Sequence, residues 1–216
     1  MKGIFITFEG IEGSGKSSQM AALAESLVQK DWKVLKTREP GGTKLGESIR
    51  NLLLDALHQD MDPKTELLLY LASRVQHLKE IILPALQQGS VVLCDRFSEA
   101  TLAYQGYGRG LELEKIKSLL RYATAGRKPD LTILLDVEAR QGLMRIGTRT
   151  SKDRLEREQL EFYDKVRQGY LKLAEMNPRR IIIIDASRDF EKVAAQILEI
   201  VVSFLEKNVI QRHHRP

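Results

Sequence analysis

Short runs of consecutive apolar residues alternate along this chain with segments whose apolar positions recur every three or four residues. Ile4-Phe5-Ile6-Thr7-Phe8, Val91-Val92-Leu93-Cys94-Asp95, Leu131-Thr132-Ile133-Leu134-Leu135-Asp136 and Ile181-Ile182-Ile183-Ile184-Asp185 have strand length, and Val34-Leu35-Lys36-Thr37 is a weaker fifth. Between them Met20, Leu23, Ala24, Leu27 and Val28 carry a helical period from about Gly15, and Ile49, Leu52, Leu53 and Ala56 mark a second helix. Pro63 fits the first turn of a long helix through Leu71 and Leu78, and Pro84 should bend or break it. Phe190, Val193, Ala194, Ile197, Val201 and Phe204 line a closing helix. Continuous apolar strands are buried on both faces, so the pattern predicts an α/β fold: a five-stranded parallel sheet flanked by helices on both faces. Ligands of such sheets gather at the carboxyl ends of the strands. Glu9, Arg38-Glu39, Asp95-Arg96 and Asp136 stand there.

The stretch after the first strand gives those ends a chemistry. Gly10-Ile11-Glu12-Gly13-Ser14-Gly15-Lys16-Ser17, followed by Ser18, fits G-x-x-x-x-G-K-[ST] at every fixed position, between a strand and a helix. Glycines let the backbone curl so that successive N–H groups converge on phosphate, and the helix adds the positive end of its dipole. Lys16 is expected to reach the β- and γ-phosphates, and Ser17 to offer its hydroxyl to Mg²⁺. The fold is therefore expected to be the three-layer P-loop NTPase type, with ATP as ligand.

Composition narrows the partners. A net charge of +5 over 216 residues permits nucleic acid or small phosphorylated ligands. The arginines fall singly near the other motifs, and no basic stretch is interleaved with aromatics, so no specific nucleic-acid partner is expected. The single cysteine, Cys94, excludes an intramolecular disulfide and a cysteine-based metal site. No apolar run suits a signal peptide or a membrane span, so the expected location is the cytoplasm, without membrane association. Without repeats or a linker rich in Pro, Gly or Ser, residues 1–216 read as one domain.

A GTPase switch needs Asn-Lys-x-Asp and Asp-x-x-Gly, and neither occurs here. Several arginines in a compact P-loop chain suggest transfer to a second phosphate-bearing substrate, whose charge an arginine fork meets well. At this point the chain resembles the thymidylate kinase family, in its bacterial form. The residues are Glu9-Gly10-x-Glu12-Gly13-x-Gly15-Lys16-Ser17, Thr37-Arg38-Glu39-Pro40-Gly41-Gly42-Thr43, Leu69 to His77, Asp95-Arg96-Phe97, Ala103-Tyr104-Gln105-Gly106 and Asp153-Arg154-Leu155-Glu156, in order along most of the chain.

The resemblance implies an ATP-dependent nucleoside monophosphate kinase that converts dTMP to dTDP on the way to dTTP, with Mg²⁺, as a homodimer. It implies that Glu12 accepts a hydrogen bond from the sugar 3′-hydroxyl or anchors a lid arginine, that the Glu39–Pro40 bond is cis, and that Glu39 and Pro40 border the acceptor. Glu39 would also face Mg²⁺ or its waters, together with Ser17 and Asp95. Arg96 would clamp the acceptor phosphate with Arg50. Tyr70 and Arg74, four apart on a helix, would stack on the base and bond its carbonyl. Thr101, Tyr104 and Gln105 would complete the base and sugar pocket. "RIGTRTSKDR", residues 145–154, would belong to a mobile lid at about 143–156, in which Arg149, with Arg154 nearby, stabilises the transferring phosphoryl. The competing classes are another nucleoside monophosphate kinase, a P-loop binding module without rapid turnover, and a nucleic-acid binder motivated only by the basic charge.

Overall fold

The structure is a computed structural model and describes residues 3–147 and 153–213, with side chains up to residue 208. Strands β1 (Ile4–Glu9), β2 (Val34–Arg38), β3 (Val91–Asp95), β4 (Leu131–Asp136) and β5 (Ile181–Asp185) form a parallel sheet in the order β2-β3-β1-β4-β5. Helices α1 (Lys16–Val28), α2 (Lys44–Leu54), α3 (Pro63–His77), α4 (Leu83–Gln87), α5 (Ser98–Thr101), α6 (Leu113–Ala123), α7 (Ala139–Ile146), α8 (Leu160–Met176) and α9 (Phe190–His213) flank it. Every residue of β1 is buried, as a central parallel strand requires. Its neighbours divide by parity. Phe5, Val92 and Cys94 pack with Leu78, Ile82 and Leu86, whereas Ile4, Ile6, Val91 and Leu93 join a larger core with Leu23 and Leu27 of α1 and Ile197 and Val201 of α9.

The register decides what meets at the carboxyl edge. Phe8 lies beside Asp95, and Asp95 beside Arg38. Glu9, the phosphate loop, Glu39 and Arg96 therefore leave the sheet at one level. Two caps then fix the helices that wall this edge: Thr43 Oγ1 accepts from Gly46 N at 2.9 Å at the start of α2, and Asp62 Oδ1 accepts from Lys64 N at 2.8 Å at the start of α3.

Pro84 does not end the helical path. A π-helical turn over Leu78–Ile82 joins α3 to α4, with Pro84 in the first turn of α4, where its missing N–H is no loss. A second π-helical stretch, Leu102–Gly108, extends α5 and buries Ala103, Tyr104, Gln105 and Gly106 in succession.

Candidate active site

A cavity of about 420 Å³ opens at the carboxyl ends of β1 and β3. Of the expected site residues it is lined by Glu12, Gly13, Gly15, Lys16, Ser17, Ser18, Glu39, Pro40, Arg50, Tyr70, Arg74, Asp95, Arg96, Thr101, Tyr104 and Gln105. Gly10, Ile11 and Ser14 shape the loop from behind the cavity wall.

The loop's curl depends on its glycines. Gly10 and Gly13 have φ of 137° and 73°, and a Cβ on Gly13 would stand 2.0 Å from Gly142 O. Lys16 folds back on the loop, its Nζ donating to Ile11 O at 2.8 Å and Ser14 Oγ at 3.4 Å. Burial, followed by the charge of Arg96, pushes the Lys16 pKa down to about 8. An ammonium so disfavoured gains most from an incoming polyphosphate.

Ser17 Oγ donates to Asp95 Oδ2 at 2.8 Å. The other carboxylate oxygen, Asp95 Oδ1, is buried without a hydrogen-bond partner. An orphaned carboxylate oxygen beside a hydroxyl suits a hard cation that takes its remaining ligands from water and substrate phosphate, as Mg²⁺ does. Among the described residues no group of three His, Cys, Asp or Glu could cage a metal. Glu39 also lines the cavity. Its carboxylate is 3% exposed, and its two oxygens accept from Arg74 Nε at 2.6 Å and His77 Nδ1 at 3.0 Å. Both of its oxygens thus bond side chains of α3.

Arg96 follows β3 with φ of 73°, a left-handed backbone that a bulky residue adopts only under constraint. Its guanidinium donates to Glu12 Oε1 at 2.7 Å, Gly10 O at 3.2 Å and Tyr170 Oη at 3.3 Å, over the Tyr104 ring at 4.8 Å. Burial works against its charge, but Tyr104 and Glu12 prevail and hold its pKa above the ordinary arginine value. Tyr104 Oη donates to the other Glu12 oxygen. Arg50, by contrast, donates to Pro40 O at 3.0 Å, and burial with the neighbouring Arg38 lowers its pKa. Arg50 is an under-compensated cation, the property of a phosphate clamp.

Tyr70 and Arg74 both face the cavity. Arg74 is 1% exposed; besides Glu39 it donates to Thr101 Oγ1 at 2.8 Å and Phe97 O at 2.9 Å. Three of its five N–H groups are thus engaged, leaving one on each terminal nitrogen. Paired with Glu39, it offers directional donors without net charge, which suits a neutral base better than a phosphate. The Glu39–Pro40 bond is cis. His77 Nε2 meets Thr37 Oγ1 at 2.6 Å and completes the support.

Arg154 stands apart from the cavity. It is 3% exposed; its Nε donates to Leu53 O at 2.8 Å and its Nη2 to Glu66. These bonds tie the segment from Asp153 to α2 and α3. Arg149 lies outside the described residues. Arg145 donates to Gly13 O at 3.3 Å and Ala186 O at 3.0 Å, joining the phosphate loop to the turn after β5.

The motifs assign no part to Glu66 or His77, yet the sequence holds a signal for both. Glu66, Tyr70, Arg74 and His77 follow one another at four, four and three residues, a single helical stripe. Glu9 and Tyr170 also belong to the site's support: Tyr170 Oη donates to Glu9 Oε2 at 2.8 Å and accepts from Arg96. Burial, then the charge of Glu99, raises the Glu9 pKa to about 7.

The sequence model of the family described as thymidylate kinase matches residues 8–197. The thymidylate kinase of Pelotomaculum thermopropionicum is 49% identical over 214 residues, covering 96% of this chain and 99% of that protein. That of Pelobacter propionicus is 48% identical over 202 residues, covering 91% and 92%. The crystal structure of thymidylate kinase from Ehrlichia chaffeensis superposes with a TM-score of 0.75 at 38% identity, covering 93% of this chain and 99% of that one. With the phosphate loop, the arginine after β3 and the α3 stripe gathered around one cavity, the chain belongs to the thymidylate kinase family.

Proposed function

We propose that the cavity holds ATP and dTMP end to end, with the named residues dividing the work of the family's reaction, ATP + dTMP to ADP + dTDP. An oxygen of the dTMP phosphate attacks the γ-phosphorus, the bond to the β–γ bridging oxygen breaks, and ADP leaves with that electron pair. A phosphate oxygen is already nucleophilic at neutral pH, so no general base is needed; alignment and charge neutralisation carry the rate.

On the donor side the loop amides cradle the phosphates and Lys16 meets the β- and γ-oxygens. Ser17 and Asp95 would hold Mg²⁺, which when bound neutralises charge on the phosphates. On the acceptor side Arg96 and Arg50 hold the dTMP phosphate, and Glu12 accepts from the sugar 3′-hydroxyl. Tyr104, wedged under Arg96, crowds the sugar 2′ carbon. Tyr70 stacks on the thymine, while Arg74, Thr101 and Gln105 address its polar edge. A lid spanning about 143–156, with Arg149 at the transferring phosphoryl, excludes water.

The observation that carries this division is the meeting of Lys16 and Arg96 in one cavity, Arg96 held in strained backbone and bonded to Glu12. The test is ADP formation from ATP and Mg²⁺ with dTMP, dUMP, CMP, GMP and AMP offered separately. Turnover strongest with dTMP supports the acceptor pocket described here. Preference for another monophosphate overturns the pocket but not the phosphate loop, and no turnover with any of the five favours a P-loop binding module instead.

We also propose that residues 1–216 form one domain that acts as a homodimer in the cytoplasm. Leu45 and Leu52 on α2, and Leu68 and Val75 on α3, are exposed. Each pair is seven residues, or two helical turns, apart, so each forms an apolar face of the kind a partner covers. Sedimentation should give twice the 24.6 kDa chain mass. Among the described residues no helix is long and apolar enough to cross a membrane.

A further inference from the structure

Glu66 stands in the first turn of α3, wholly buried, and does not line the cavity. Its carboxylate nonetheless gathers donors from two other parts of the chain. Gln105 Nε2 donates to Oε1 at 2.7 Å, Arg109 donates through Nε at 3.3 Å and Nη2 at 3.2 Å, and Arg154 Nη2 donates to Oε2. Burial pushes the Glu66 carboxyl up, but the hydrogen bonds and charge of Arg109, with Gln105 and Arg154, outweigh it and hold the group ionised. An ionised carboxylate only accepts.

That fixes Gln105. An amide has a donor end and an acceptor end, and facing a carboxylate it must turn Nε2 inward. Its Oε1 is then left over. Among the described residues nothing donates to that oxygen, and it is not among the buried atoms lacking a partner, so it is open to the cavity that Gln105 lines. Arg74 lines the same cavity with two spare N–H groups, donors only. The pocket therefore offers a donor from Arg74 and an acceptor from Gln105. A 4-oxopyrimidine with N3–H presents the complement, an acceptor beside a donor. A 4-aminopyrimidine presents the reverse, a donor beside the N3 lone pair.

We propose that Glu66 is a positioning residue for base specificity: by fixing the Gln105 amide it makes the acceptor pocket fit a 4-oxo, N3–H pyrimidine and oppose a 4-aminopyrimidine. This rests on the reading of the cavity as a dTMP site. A site built to bond one pattern leaves its own groups unpaired against the opposite pattern, which is how hydrogen-bonding pockets discriminate far more strongly than apolar ones.

The test compares kcat/KM for dTMP and 5-methyl-dCMP, which differ only at N3 and C4, in the wild type and in Glu66→Gln, Glu66→Asp and Gln105→Met. The wild type should prefer dTMP by about a hundredfold or more. Glutamine at position 66 can offer either end to Gln105 and lets it turn over, so the preference should fall by about tenfold. Aspartate stays acceptor-only and should keep the preference even at reduced activity. Should Glu66→Gln not fold, Gln105→Met still tests the amide through which Glu66 acts: it leaves Glu66 with Arg109 and Arg154, and a preference that stays intact without the amide overturns the proposal. A Glu66→Gln enzyme that loses activity on both acceptors equally, with the ratio intact, assigns Glu66 a purely structural part and overturns the proposal. A wild type without dTMP turnover instead overturns the assignment of the cavity, and the two failures are thereby told apart.

Discussion

Ser17 Oγ donates to Asp95 Oδ2 at 2.8 Å, while the second oxygen of that carboxylate is buried and unpartnered. A serine from the phosphate loop and an acid from the neighbouring strand are thus already aligned, with one ligand position unused. Asp95→Asn should retain the fold and the Ser17 contact but lose the charge. We expect kcat to fall by about a hundredfold or more and half-maximal activity to need more Mg²⁺. A Mg²⁺ titration of ADP formation at fixed ATP reads both, and an unchanged midpoint contradicts the assignment.

Lys16 supplies a pH signature. Burial and Arg96 lower its pKa to about 8, and bound polyphosphate favours the ammonium, moving the pKa back up. Binding ATP at pH between about 8 and 10 should therefore take up a proton, and affinity should weaken as pH rises through that range. Titration calorimetry at pH 8.5 in two buffers of different ionisation enthalpy measures the uptake directly. Lys16→Met should abolish it.

Glu9 affects stability with a definite sign. Its folded pKa, raised to about 7 by burial and then by Glu99, lies above the ordinary value of 4.5. The folded state therefore binds its proton more tightly than the unfolded chain. The stability this contributes is complete below pH 4.5 and is lost as pH rises through 7, an effect on the order of 3 kcal/mol. Glu9→Gln should flatten the dependence of denaturant stability between pH 5 and 8. The pH scan of the two proteins side by side checks it.

Arg154 should behave as an anchor. Arg154→Met removes a buried partner of Glu66, at a cost of about 3 kcal/mol. For a chain of this size that corresponds to a fall in melting temperature of roughly 10 °C. Substitution of an exposed arginine such as Arg121 should leave the melting temperature nearly unchanged. Equal, small shifts for both would remove the anchoring role.

Much of the site could be read from the sequence because its parts are local. The phosphate loop is contiguous, the acids and arginines end apolar runs, and Tyr70 and Arg74 sit one turn apart. What escaped was set by pairing across long sequence distances. Arg154 looks like any arginine of a glycine-containing loop, and its burial follows from Glu66, 88 residues away. Glu39 sits in a turn that borders the acceptor, but His77 and Arg74, 38 and 35 residues on, claim its carboxylate. Pro84 reads as a helix breaker, and only the π-helical turn before it lets the helical path continue.

The central claim is that Arg96, strained and held by Glu12, clamps the acceptor phosphate for transfer. Its most direct test is the initial rate of dTDP formation by Arg96→Ala beside the wild type, at saturating ATP and Mg²⁺ with dTMP varied. If Arg96 holds the acceptor, kcat/KM for dTMP falls by about a hundredfold or more, with an unchanged melting profile. Near-normal kcat/KM in a folded variant would contradict it.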